Sequence, residues 1–123
     1  MPLTSIYGHW AVPTTSQTGA YTVQTRDFGS CICAPGALTA TLPAPGPELA
    51  GVWVKFFSTA AGDLVITAPT GTIVTDGDAA ANSITYGTAG EEIGASTTML
   101  CDGTSWLDIN NLSGVTSSRA IAT

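Results

Sequence analysis

From residue 37 to residue 111 the chain alternates short apolar runs with turn residues. Runs rich in β-branched, aromatic and aliphatic side chains occupy 37–42, 52–57, 64–67, 72–75, 83–88, 97–101 and 104–109. Between them stand Pro43, Pro45 and Pro47, then Gly62 with Asp63, Pro69 with Gly71, Asp76 with Gly77, Gly90 with Gly94, and Asp102 with Gly103. Strand-length runs punctuated at this rhythm predict a sandwich or barrel, and no helical period competes. The expected fold is all-β: a single antiparallel β-sandwich, jelly-roll-like, over 21–111. An extended N-terminal arm over 1–20 and a docked C-terminal tail over 112–123 flank it.

Within this frame the alternation assigns faces. Leu38, Ala40 and Leu42 point one way and Thr39 and Thr41 the other, as in a half-buried strand. Tyr21 to Thr25 has the same alternation and reads as the first strand, while Arg26 to Gly36, with Cys31 and Cys33, reads as a connection. The three prolines of 43–47 each lack a backbone donor, so that segment is a stiff crossing, read as the passage between sheets. In 52–57, Val52, Val54 and Phe56 form a wholly apolar face and belong to the core. Trp53, Lys55 and Phe57 form the opposite face, and a monomer gains little by leaving those rings wet. Burying either one contributes on the order of 2–3 kcal/mol. Trp53 and Phe57 are therefore the candidate oligomer interface, with cover by a loop or by the arm as the alternative. Asp102-Gly103 predicts a tight hairpin pairing 97–101 with 104–109.

The arm carries Ile6, Tyr7 and Trp10, apolar groups that must pack at home or on another chain; they are the candidate partner contacts. After Asn111 no period is visible, and no repeat of fixed length runs through the chain.

Composition narrows the partners. Of 123 residues only three are Lys or Arg, against nine Asp or Glu, a net charge of −6. Phosphate backbones need clustered cations, so nucleic acid is not expected, nor an anionic membrane surface. Charged residues are 10% of the chain, well under the ~25% of an ordinary domain. Hydroxyls replace them, which suits a fixed assembly. No signal-like start and no span-length apolar run is present, so a soluble protein made in a cytoplasm is expected. Three cysteines make a poor disulfide framework.

Catalytic chemistry is nearly absent from the pattern, and no enzyme and no cofactor are expected. His9 is the one histidine and lies in the arm, with no nucleophile elbow around it. Cys31 and Cys33 lack a matching second pair for zinc, having only Cys101 and His9 elsewhere. Asp63, Asp76 and Asp78 sit where turn chemistry explains them, without the far acidic ligand of a calcium loop. Glu91 and Glu92, as sequence neighbours, would face opposite ways on a strand. Trp53, Tyr86 and Trp106 are conceivable sugar platforms, but core or interface packing explains them more simply.

Leu42-Pro43, the run from Leu49 to Phe56, the run from Ala61 to Ala68, Gly71 to Val74, and Asp102 to Trp106 together resemble the small β-modules of tailed-bacteriophage virion proteins. Such modules serve as capsid decoration (cement) proteins and as tail-fibre tips, generally as trimers. The resemblance spans 37–112 and transfers no catalytic residue. It implies a homotrimer on the outer capsid surface that bridges major capsid protein subunits. No shaft is expected upstream of Met1, and that expectation favours decoration over the receptor- or glycan-binding tip of a tail fibre.

Overall fold

The structure, a computed structural model, describes residues 12–87, 93–112 and 119–122. Among these, twelve strands form two sheets. The strands are β1 (Thr14–Ser16), β2 (Gly19–Thr22), β3 (Cys31–Ala34), β4 (Leu38–Thr41), β5 (Trp53–Ser58), β6 (Leu64–Thr67), β7 (Ile73–Thr75), β8 (Asp78–Ala81), β9 (Ser83–Tyr86), β10 (Ser96–Cys101), β11 (Trp106–Leu112) and β12 (Arg119–Ala122). The larger sheet has the order β1-β3-β5-β10-β11-β7-β8 and the smaller β12-β9-β6-β4-β2. Single 3-10 turns at Thr25–Asp27 and Pro47–Leu49 are the described helical pieces.

The first half of the chain is wound as a coil. Successive strands alternate between the sheets, so that β1, β3 and β5 lie in the larger and β2, β4 and β6 in the smaller. Neighbours within each sheet are therefore parallel: Thr14 pairs with Cys31 and Cys31 with Lys55, while Gly19 pairs with Leu38 and Leu38 with Leu64. The corners between the sheets, 17–18, 35–37 and 59–63, stack on one another. Backbone bonds tie the stack: the Gly19 N–H donates to the Ala37 carbonyl (2.8 Å), the Leu38 N–H to Asp63 (2.9 Å), and the Thr59 N–H to Ala34 (2.9 Å). Gly62, at φ +137°, sits so close to the corner below that a Cβ there would lie 2.5 Å from the Ala37 nitrogen.

The second half closes the sheets with antiparallel partners, β10 against β5 and β11, β9 against β6 and β12, and β8 against β7. One ladder there, β7 to β11, is again parallel. Inward side chains of both sheets meet in a single apolar cluster. Ile32, Val54, Phe56, Met99 and Trp106 come from the larger sheet, and Leu38, Ala40, Leu64, Ile66, Ile84 and Tyr86 from the smaller. Trp106 is fully buried; its Nε1–H donates to the Pro43 carbonyl at 2.8 Å, and its ring meets Phe28 at 6.4 Å between centroids.

The all-β class and the face assignments of 38–42 and 52–57 hold, and the proline-rich segment does carry the chain from the smaller sheet to the larger. The antiparallel wiring does not. The sheets are mixed, and a jelly roll, built from antiparallel neighbours, lacks the four parallel coil ladders found here. The N-terminal boundary also moves: β1 and β2 place 14–16 and 19–22 in the sheets, within and beyond the expected arm. Cys31–Ala34, read as connection, is an interior strand, and β12 extends the smaller sheet where a tail was expected. The turn at Asp102 is longer than predicted. Its Oδ1 accepts from the N–H groups of Thr104 (2.8 Å) and Ser105 (2.7 Å), so the strands resume only at Cys101 and Trp106. These bonds, Ser105 first, hold the Asp102 carboxyl below its ordinary range. The tight two-residue turn is instead Asp76-Gly77, between paired Thr75 and Asp78, with Gly77 at φ +74°.

Candidate functional site

The candidate site is the outer face of the larger sheet. Register places its side chains in rows. Thr14, Cys31, Lys55, Thr98 and Ile109 make one row across β1, β3, β5, β10 and β11. Trp53, Leu100, Leu107 and Val74 make another, and Ser16, Cys33 and Phe57 a third. The alternation that sends Val54, Phe56, Met99 and Trp106 inward sends these groups out. Most are half-buried by their neighbours, and Phe57 stands out at 37% exposure. Lys55 is the single charged residue of the three rows. The face therefore presents a broad apolar patch with one cation near its middle.

Trp53 and Phe57, the expected interface pair, lie on this face four residues apart on β5, with Lys55 between them. Ile6, Tyr7 and Trp10 lie outside the described residues, as do His9, Glu91 and Glu92. Two of the aromatics considered as sugar platforms are removed from the surface, because Tyr86 and Trp106 are wholly buried; of the three only Trp53 faces outward.

The cysteines divide between the faces. Cys101 is buried on the inner side of β10, while Cys31 and Cys33 lie on the outer side of β3. They cannot act as one set. Among the described residues, no three His, Cys, Asp or Glu side chains converge as metal ligands. Burial, reinforced by the neighbouring Cys33 thiol, pushes the Cys31 thiol up to about 11, with the Lys55 charge acting in the opposite direction.

Two acids point inward and serve the fold. Asp27 is buried; its Oδ2 accepts from the Tyr21 hydroxyl (2.6 Å) and the Gln24 N–H (2.7 Å), closing the 3-10 turn. Burial and that bond raise the Tyr21 phenol above its ordinary value. Asp108 accepts from the Thr75 hydroxyl (2.6 Å) and from the Thr97 hydroxyl, joining β7, β10 and β11. Each carboxylate is engaged by donors of the fold, which is structural use of an acid rather than a pair poised across a bond.

The outward groups that the sequence left unassigned are Val74, Leu100, Leu107 and Ile109. Their signal was alternation, which becomes readable only once the partner strand and its register are known. No family model matches the chain, and no curated protein matches it either.

Proposed function

We propose that this is a structural virion protein, a β-sandwich that decorates and stabilises a bacteriophage capsid as a trimer bridging major capsid subunits. The observation that carries the reading is the outer face of the larger sheet. Trp53, Phe57, Leu100 and Leu107 offer apolar area on a rigid, hydrogen-bonded platform, with Lys55 the only charge among them. A face of this kind suits sister copies of the chain, as charges are depleted at the centres of protein interfaces. The low overall charge and hydroxyl-rich surface support membership of a permanent assembly. The arm, with Ile6, Tyr7 and Trp10, supplies the capsid contact in this reading.

Stabilisation works by mass action: a ligand that binds only the assembled lattice favours that lattice at every site it fills. Heating particles with and without the protein tests this. Bare particles are expected to release their DNA at lower temperature, and equal resilience would overturn the proposal.

A second reading, the receptor- or glycan-binding tip of a tail fibre, draws on the winding. Among the described residues β1 and β2 each pair on one side only, so the coil has an open end on which a shaft could stack. Copy number in purified particles separates the two readings: hundreds for a decoration protein, a handful for a fibre tip.

A further inference from the structure

We propose that Cys31 and Cys33 form a two-thiolate site for a soft, thiophilic cation of low coordination number. The pair occupies alternate positions of β3, so both thiols leave the same side of the strand while Ile32 and Ala34 enter the core. Both are free and half-buried. β3 is an interior strand, laddered to β1 on one side and β5 on the other, which fixes the separation of the two residues. Alternate residues of a strand are roughly 6.5–7 Å apart, with side chains side by side. A disulfide needs Cβ atoms about 3.5–4.5 Å apart, so the pair cannot close one without breaking a ladder. A metal ion with bonds of about 2.3 Å to each sulfur bridges a wider gap than a direct sulfur–sulfur bond.

The surroundings choose the kind of cation. No third His, Cys, Asp or Glu converges with the pair among the described residues, so a four-ligand zinc site is not built here. Thr14 and Ser16 face the cysteines across one ladder, and Lys55 and Phe57 across the other. Sulfur-only ligation with few donors selects soft ions such as Hg(II), or trivalent arsenicals, over hard ones. Binding a divalent ion forms two metal–sulfur bonds and releases two thiol protons to solvent. No oxidant takes part, and the Lys55 ammonium offsets part of the charge of the two thiolates.

Titration of the reduced protein with Hg(II) alone, followed by the ultraviolet sulfur-to-metal charge-transfer band, tests the site. One ion per chain is expected, with affinity falling at least tenfold in both Cys31→Ser and Cys33→Ser and unchanged in Cys101→Ala. Binding that survives the double serine variant, or a stoichiometry of one ion per two or more chains, would overturn the assignment. A check that needs no variant uses phenylarsine oxide on the native protein: two As–S bonds form, and the arsenic-bound oxygen leaves as water with the two thiol protons. One arsenic per chain should protect the peptide holding Cys31 and Cys33 from alkylation, and unprotected thiols would refute the site. Ready formation of a 31–33 disulfide in the folded protein would contradict the strand geometry on which it rests.

Discussion

At the scale of single residues, Cys31 shows what a half-buried position on an apolar face does to an ionisable group. Burial, with Cys33 alongside, favours the neutral thiol and moves its titration from 9.0 to about 11. The folded chain therefore holds its proton where the unfolded chain has lost it. Stability is unaffected by this group below about pH 9, falls as pH rises from about 9 to about 11, and then levels off. Tyr21, raised by burial and by Asp27, pulls in the same direction from its ordinary 10.0 upward. Urea unfolding across this range should show the loss, and Cys31→Ser should flatten the part that begins near pH 9. An identical alkaline slope in that variant would show that the thiol is not its source. Alkylation of Cys31 at neutral pH is expected to be slow, with roughly a hundredfold less thiolate than an ordinary cysteine carries.

At the scale of elements, the stacked corners of the coil decide the architecture. Gly62 packs against the backbone of the corner below at a φ that L side chains rarely adopt. Gly62→Ala is expected to cost roughly 2–4 kcal/mol, from backbone strain and from forcing the corners apart. Thermal or urea denaturation reads this directly, and a loss under 1 kcal/mol would mean the corners move freely. As a contrast, Gly51→Ala meets no neighbouring atom and bears only the strain of its own φ, +87°. The same corners explain how much of the fold was legible beforehand. Alternation in 38–42 and 52–57 exposed strand identity and facing, because those runs have large apolar side chains on the buried side. Pairing direction stayed hidden. Short connections normally mean hairpins, whereas here they lead from one sheet to the other and leave parallel neighbours behind. The coil steps are unequal, from Thr14 to Cys31 and from Cys31 to Lys55, so no repeat length appears in the sequence. β3 was missed because its inward pair, Ile32 and Ala34, presents only one large side chain. β1 was missed because Thr14, Thr15 and Ser16 are all exposed and carry no apolar signal. Asp102-Gly103 misled because an aspartate that caps two backbone N–H groups makes a wider turn than its dipeptide suggests.

At the scale of the whole molecule, one sheet turns a broad apolar face outward. The candidate site was legible in part: Trp53 and Phe57 were visible as the wrong-side aromatics of a single strand. Leu100, Leu107 and Val74 joined them only through register. Tyr86 and Trp106, conceivable sugar platforms but more simply read as packing groups, are core. The central claim is that this face exists to meet copies of the same chain, and sedimentation equilibrium tests it most directly. The account predicts a trimer of the 12.4 kDa chain, with Trp53→Ser/Phe57→Ser shifted to single chains that remain folded. A wild-type protein that sediments as a 12.4 kDa monomer at every concentration tested would contradict it.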